Sequence, residues 1–131
     1  TGRAKDRTED SLLSRYRLKT GALYAAATTA GAILCGANDE DAAALGECGM
    51  HLGLAVQFLD DTADVVAGVA EAGKEAGRDN GKVTATDLYG VEGARARAAR
   101  FQEIALAKLQ RFRPAADTLR TLVSHANWEA D

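Results

Sequence analysis

The segment Gln57-Phe58-Leu59-Asp60-Asp61-Thr62-Ala63-Asp64 places three carboxylates within five residues, late in a long apolar stretch. Asp60 and Asp64 are four residues apart, so on an α-helix they share a face, with Asp61 beside them. No Lys or Arg occurs between residues 20 and 73 to neutralise them. Clustered carboxylates repel one another, so a stable fold separates them or supplies a cation. The cluster therefore predicts either a solvated helical turn or a site for a hard cation such as Mg²⁺.

The residues around this cluster predict a long helix. Apolar side chains recur there at three- and four-residue steps, at Leu45, Cys48, Leu52, Ala55, Val56, Leu59, Ala63 and Val66. Such spacing is typical of an α-helix with one buried face, here ending at about Ala67. Asn38 precedes three acidic residues, which is the pattern of an N-cap followed by a first turn that suits the helix dipole. Gln57 lies three residues before Asp60, so it is expected on the same face.

Upstream, a second helical pattern begins near Asp10 or Ser11 and is expected to stop at Gly36. Gly21 lies inside it and costs roughly 1 kcal/mol relative to alanine, so the helix is expected to be irregular around Lys19-Thr20-Gly21. Residues 1–10 are polar and charged, and we interpret them as a flexible N-terminal segment.

Downstream, the periodicity fails between Gly68 and Lys82, where glycines alternate with basic residues. Glycines allow close backbone approach and cations bind phosphate oxygens, although an ordinary flexible linker has the same composition. A short helix is expected over Thr84–Tyr89 and a longer one from Val91 to Phe112. Pro114 suits the first turn of a last helix that ends around Ala126.

The composition favours a single all-α domain. The chain has 131 residues, aromatic residues make up 5% of it, and there is one proline. The net charge of −3 does not favour nucleic acid or an anionic membrane as a partner. Cys35 and Cys48 lack CxxC spacing and are expected to be reduced, buried thiols of a cytoplasmic protein. No window approaches a membrane span, so no transmembrane segment is expected.

Several short motifs, taken in order, resemble the trans-isoprenyl diphosphate synthases, the family of farnesyl and geranylgeranyl diphosphate synthases. They are Lys19-Thr20-Gly21-Ala22-Leu23, Gly53 to Val65, Gly73-Lys74, Gly81-Lys82-Val83-Thr84 and Gly90-Val91-Glu92-Gly93-Ala94. The resemblance covers the chain from about residue 11 onward. It implies an all-α helical bundle, in which residues 11–131 form the C-terminal half of the isoprenoid synthase fold.

The resemblance implies a magnesium site at the acidic cluster. Asp60, Asp61 and Asp64 match the family's second aspartate-rich motif and would bind Mg²⁺ at the allylic diphosphate. The first aspartate-rich motif, which lies on a facing helix in the family and governs product length, is missing. A complementary chain or segment carrying that motif is therefore an expected partner, in a dimeric assembly.

The resemblance also implies roles for five further residues. Lys19 and Lys74 would contact the diphosphate and take part in catalysis, and Lys82 matches the lysine that closes over the pocket. Thr20 and Gln57 would line the reacting end, near the allylic carbocation. The loop before Lys82 is about two residues shorter than in common bacterial members of the family.

The implied activity is that of a prenyltransferase, which condenses an allylic diphosphate with isopentenyl diphosphate and releases pyrophosphate. Two alternatives remain open at this stage. One is a terpene cyclase built on the same scaffold. The other is a non-catalytic subunit that regulates or stabilises a synthase, although such subunits often lose the charged motif that this chain keeps.

Overall fold

The structure, a computed structural model, describes residues 2–70 and 82–125 of the chain. All regular elements in these two ranges are helical, which confirms the predicted all-α class. In chain order they are α1 (Gly2–Tyr16), a π-helical turn (Arg17–Gly21), α2 (Ala22–Leu34), α3 (Asp39–Ala70), α4 (Ala85–Leu109), a 3₁₀ segment (Gln110–Ala116) and α5 (Asp117–Ser124).

The central helix is α3, which packs against α2 and the π-helical turn and also against α4. Its buried side chains belong to two apolar clusters. One cluster joins α1, α3 and α4 around Leu12, Leu54 and Phe58. The other joins α3, α4 and α5 around Cys48, Leu109 and Val123. Because α3 contributes to both clusters, it fixes the positions of the other helices.

The predicted start of α3 and stop of α2 are confirmed. The Asn38 Oδ1 atom accepts a hydrogen bond of 2.8 Å from the backbone N–H of Asp41, as an N-cap does. Gly36 follows the end of α2 with a φ of 82°, a left-handed conformation that favours glycine. Helix α3, predicted to end at about Ala67, continues at least to Ala70, the last residue described before residue 82.

The irregularity predicted at Lys19-Thr20-Gly21 is confirmed as a π-helical turn over Arg17–Gly21. Here the backbones of this turn and of α3 touch. A Cβ atom built on Gly53 would lie 2.9 Å from the Gly21 Cα and 3.2 Å from the Thr20 carbonyl oxygen. The π-helical turn therefore packs closely against the middle of α3. Single π-helical turns of this kind are frequent at functional sites.

The first helix begins earlier than the sequence predicts. It starts at Gly2, so the expected start near Asp10 or Ser11 is wrong, and residues 2–10 are helical. Glu9 gives a physical reason, because its carboxylate accepts a hydrogen bond from the Tyr89 hydroxyl and lies 3.7 Å from an Arg97 nitrogen. These tertiary contacts to α4 compensate for a polar sequence. The flexibility of residues 1–10 stays a prediction.

The predicted interruption in α4 is confirmed. The Thr84 hydroxyl accepts from the Asp87 N–H and the Asp87 carboxylate accepts from the Thr84 N–H, which together form a capping box. Gly90 then interrupts the helix, with a φ of 71° and a ψ of 173°. A kink at Gly90 therefore divides α4 into a short helix over residues 85–89 and a longer one that follows, as the sequence predicts.

The predictions for the C-terminal part are partly wrong. The long helix ends at Leu109 rather than Phe112, and Pro114 lies in a 3₁₀ segment instead of the first turn of α5. Arg113, the residue before Pro114, has a φ of 51°, so the helical backbone is interrupted there. Helix α5 ends at Ser124, before the predicted end at about Ala126.

One described helix is long and apolar enough to cross a membrane, which corrects the expectation that no window approaches such a span. It is Asp39–Gly68 of α3, with a mean hydropathy of 1.2 over its most apolar window. Half of that window is buried inside the fold. A core helix covered by neighbours on two sides has the same composition, which makes this weak evidence for a membrane span.

Both cysteines are free thiols, but their environments differ. Cys48 is buried in the cluster between α3, α4 and α5, as predicted. Cys35 is exposed after the end of α2, so the prediction of a buried thiol is wrong there. The helix ends one residue earlier, and Cys35 lies in the exposed stretch of residues 33–36.

Candidate functional site

Three elements meet at the last third of α3: the π-helical turn, the end of α1 and the beginning of α4. The site predicted from the sequence lies at this junction. Its polar residues divide into an open group, which contains Asp60 and Asp64, and a buried group centred on Asp61.

The open group consists of exposed carboxylates one helical turn apart. Partial burial raises the pKa of Asp60, and the negative charges of Asp64 and Asp61 raise it further, while the positive charge of Lys19 lowers it. Lys19 is therefore close enough to Asp60 to act on its charge. This places the predicted diphosphate-binding lysine on the same side of the bundle as the acidic cluster.

The buried group is a network of hydrogen bonds, hereafter the Asp61 network. Asp61 is only 6% exposed. Its Oδ1 atom accepts a hydrogen bond of 3.2 Å from the Gln57 side-chain amide. Its Oδ2 atom accepts from the Tyr16 hydroxyl and, at 3.0 Å, from the backbone N–H of Ala85. The Gln57 carbonyl oxygen in turn accepts a hydrogen bond of 2.8 Å from the Thr20 hydroxyl.

The Asp61 network brings together two predicted residues and two that the sequence did not identify. Thr20 and Gln57 are paired by a hydrogen bond, and their implied role at the reacting end stays a prediction. Tyr16 and the Ala85 N–H were missed, because they lie 45 and 24 positions from Asp61 and no local pattern connects them. Only the apolar spacing of Tyr16 was visible in the sequence.

Tyr16 is held as a hydrogen-bond donor. Burial raises the pKa of its hydroxyl well above the usual value, and the hydrogen bond to the Asp61 carboxylate raises it further. The phenol therefore stays protonated over the physiological range. Its ring also packs edge-on against Phe58, with 5.7 Å between ring centroids, which fixes the direction of the hydroxyl.

The three aspartates do not present one shared set of ligands. Within residues 2–70 and 82–125, no group of three His, Cys, Asp or Glu side chains is close enough to hold a metal ion. Both Asp61 oxygens are already occupied by protein donors. Asp60 and Asp64 fit a hard cation better, since their oxygens are exposed and a cation would relieve the repulsion between them. The assignment of all three as metal ligands stays a prediction.

The two remaining predicted lysines lie before α4. Lys74 falls outside the described residues. Lys82 is described and exposed, two residues before the Thr84 cap. The next residue, Val83, is fixed by its carbonyl oxygen, which accepts a hydrogen bond from the Arg15 guanidinium. The predicted contact of Lys82 with a diphosphate stays a prediction.

The helical fold, the exposed carboxylate pair beside Lys19 and the Thr20–Gln57 pair define a class of all-α proteins with a candidate site for a cation-bound anion. The family model described as "Polyprenyl synthetase" matches residues 1–120. The chain belongs to this family.

Several curated proteins are similar to the chain. It is 38% identical over 109 residues to the "Dimethylallyltranstransferase" of Fischerella ambigua, which covers 82% of this chain and 32% of the relative. It is 42% identical over 91 residues to the "Short chain isoprenyl diphosphate synthase" of Methanothermobacter thermautotrophicus, covering 68% of this chain and 28% of the relative. A chloroplastic "Geranylgeranyl pyrophosphate synthase" of Catharanthus roseus is 36% identical over 114 residues, which are 86% of this chain and 31% of the relative. The chain thus spans about a third of the length of these proteins.

Proposed function

We propose that this chain supplies the part of a trans-isoprenyl diphosphate synthase that carries the second aspartate-rich motif, in an enzyme that condenses an allylic diphosphate with isopentenyl diphosphate. The observation that carries the proposal is that Lys19 lies close enough to Asp60 for its positive charge to lower the pKa of that carboxyl group. The hydrogen-bonded pair of Thr20 and Gln57 begins at the next residue. A cation site and a basic residue on one edge of the bundle suit a pyrophosphate group. Family membership and the names of the relatives support the same activity.

In the proposed reaction the carbon–oxygen bond of the allylic diphosphate breaks and its electron pair leaves with pyrophosphate. The π electrons of isopentenyl diphosphate form the new carbon–carbon bond, and a proton is lost from the neighbouring carbon. Asp60 and Asp64 would hold Mg²⁺, which when bound neutralises charge on the leaving group. Lys19 stabilises the same charge directly, as preorganised cations do. The Thr20 hydroxyl, directed by Gln57, borders the reacting end.

The proposal includes a partner that carries the first aspartate-rich motif. One Mg²⁺ ion held by Asp60 and Asp64 does not neutralise the several negative charges of pyrophosphate. The chain also spans about a third of its relatives' length. The outer face of α2 supports this part. Its apolar side chains follow a helical stripe through Leu23, Ala26, Ala27, Ala30, Ile33 and Leu34, hereafter the outer stripe, and Leu34 is 87% exposed. A second helical segment would cover such a stripe.

The test uses the chain with the polypeptide that co-purifies with it, in the presence of Mg²⁺ and both diphosphates. Transfer of labelled isopentenyl diphosphate into a longer diphosphate is expected in the assembly. Asp60→Asn should reduce it by at least about 100-fold, because removal of a ligand is expected to cost more than the roughly 10- to 100-fold typical of residues that only orient a ligand. Glu103→Gln, which changes an exposed carboxylate on α4, is the matched control and should leave turnover unchanged.

The same experiment separates the competing functions. Hydrocarbon products in place of linear diphosphates would identify a cyclase. Full activity of the Asp60→Asn assembly would identify a regulatory subunit and overturn the proposal. Turnover by the isolated chain would keep the activity but remove the need for a partner.

A further inference from the structure

Two consecutive residues at the end of α1 reach the beginning of α4. Arg15 donates to the carbonyl oxygen of Val83, and Tyr16 donates to Asp61. The backbone N–H of Ala85 lies within hydrogen-bond distance of both the Asp61 Oδ2, at 3.0 Å, and the Tyr16 hydroxyl oxygen, at 3.2 Å. The first residue of α4 is therefore tied to α1 and α3 at one point.

These contacts use the whole carboxylate of Asp61. Both oxygens accept from protein donors, and the side chain lies beneath the surface. A buried carboxylate is costly unless its oxygens are hydrogen-bonded, and here a phenol, an amide and a backbone N–H share that task. The neighbouring Asp60 differs in each respect, since it is exposed and influenced by Lys19.

The contacts also act on the segment that leads into α4. Lys82 immediately precedes Val83, whose carbonyl oxygen is fixed by Arg15. Ala85 begins the helix with its N–H on Asp61, and Thr84 between them is held by the capping box. Three consecutive residues after Lys82 thus have fixed backbone positions, which limits where the Lys82 side chain can reach.

We infer that Asp61 is a positioning residue and not a metal ligand: with Tyr16 it fixes the beginning of α4, and thereby directs Lys82 towards the anion held at Asp60 and Asp64. The inference rests on the proposed function for the identity of that anion as a diphosphate. It divides the acidic cluster into two binding carboxylates and one that organises the fold around them.

The experiment compares Asp61→Asn and Tyr16→Phe with the neighbouring Asp60→Asn, all in the assembly as isolated. The first readout is the thermal unfolding midpoint without Mg²⁺ or anion. Asp61→Asn and Tyr16→Phe should each lower it, and the double variant should lower it by less than the sum, because the two side chains share one hydrogen bond. Asp60→Asn should leave this midpoint unchanged or raise it, because the substitution relieves the repulsion from Asp64 and Asp61. Faster hydrogen exchange of the Ala85 amide in the first two variants would locate the effect.

The second readout is the binding of inorganic pyrophosphate with Mg²⁺, measured by calorimetry. Tyr16→Phe should weaken pyrophosphate binding by roughly tenfold, which is typical of a residue that positions a binding group without touching the ligand itself. It should not change the Mg²⁺ concentration at half-saturation. Lys82→Ala should weaken it to a similar extent and add nothing in the Tyr16→Phe background. A purely structural role would leave the two changes additive. Asp60→Asn should raise the Mg²⁺ requirement.

Three results would overturn the inference. One is an Asp61→Asn variant with an unchanged midpoint and a raised Mg²⁺ requirement, which would make Asp61 a ligand. The others are full pyrophosphate affinity in Lys82→Ala and strict additivity of Lys82→Ala with Tyr16→Phe. If Asp61→Asn does not fold, Tyr16→Phe carries the test alone. Absence of any Mg²⁺-dependent pyrophosphate binding by the unchanged assembly would instead reject the proposed function.

Discussion

The two faces of α2 have similar small and apolar residues but opposite surroundings. The inner face packs so closely on α3 that a Cβ atom on Gly49 would lie 2.6 Å from the Tyr24 carbonyl oxygen. The outer stripe has no neighbour among the described helices, and Leu23, Ile33 and Leu34 are 69%, 62% and 87% exposed. Contiguous exposed apolar surface is typical of an interaction site. The difference separates the contacts that the described helices complete among themselves from apolar side chains that they leave exposed.

The largest expected effect is a difference in reactivity between an exposed thiol and a buried one. Cys35 is exposed just after the end of α2, whereas Cys48 is buried in the cluster between α3, α4 and α5. Burial raises the pKa of the Cys48 thiol to about 11, so little thiolate is available there at pH 8. We expect a maleimide at pH 8 to label Cys35 at least about 100-fold faster than Cys48. Mass spectrometry with Cys35→Ser as the control measures this ratio, and equal rates would contradict the core position of Cys48.

The next effect concerns the contact between α2 and α3. Gly49→Ala should destabilise the chain by about 1–3 kcal/mol, because the new methyl group meets backbone atoms that cannot move aside. Gly31→Ala is the matched control, since nothing lies within 4 Å of a Cβ atom at that position on α2. It should be neutral or stabilise by up to about 1 kcal/mol, through helix propensity. Chemical denaturation of both variants decides the point, and similar losses in both would show that this helix contact is loose.

A smaller effect is expected at the hydrogen bond between the turn and α3. Thr20→Val keeps the shape of the side chain but removes the donor to the Gln57 carbonyl oxygen. Partial solvent access limits the loss to about 1 kcal/mol of unfolding free energy. Thr118→Val, at an exposed position of α5, controls for the change of a hydroxyl to a methyl group. A cost at Thr20 no larger than that at Thr118 would mean that the pair contributes nothing.

The smallest effect on the folding of the chain is expected on the outer stripe. Leu34→Ser should change the unfolding free energy of the isolated chain by within about 0.5 kcal/mol, since the side chain is exposed. The same change should weaken association with the polypeptide that co-purifies with the chain, which analytical ultracentrifugation or calorimetry measures. Leu122→Ser on α5, which is 62% exposed, is the control outside the stripe. Equal effects of both changes on association would contradict the assignment of the stripe as the contact surface.

Local signals in the sequence predicted the helix boundaries that are marked by a capping residue or by a glycine. Asn38 and Gly36 mark real boundaries, and the break at Gly90 was visible because glycine favours the backbone conformation found there. The start of α1 was not visible. The part of α1 before the predicted start includes Glu9, which contacts Tyr89 and Arg97, 80 and 88 positions further along the chain.

The candidate site shows the same division. The structure pairs Thr20 with Gln57 and places Lys19 close enough to Asp60 to lower its pKa, while the roles that the family resemblance implies for these residues stay predictions. The separate position of Asp61 was not predictable from a helical spacing that places it beside Asp60. Its direction is decided by Tyr16 and Ala85, which arrive from two other helices.

Periodicity, caps and short motifs are local properties of the chain, so the helical class, the acidic cluster, several helix ends and the family were predictable without a structure. The burial of Asp61 and the exposure of Asp60 and Asp64 became visible only in the folded chain. The reason is that a carboxylate is stable below the surface only where donors from distant segments meet it, and such meetings are not encoded in the spacing of a single helix.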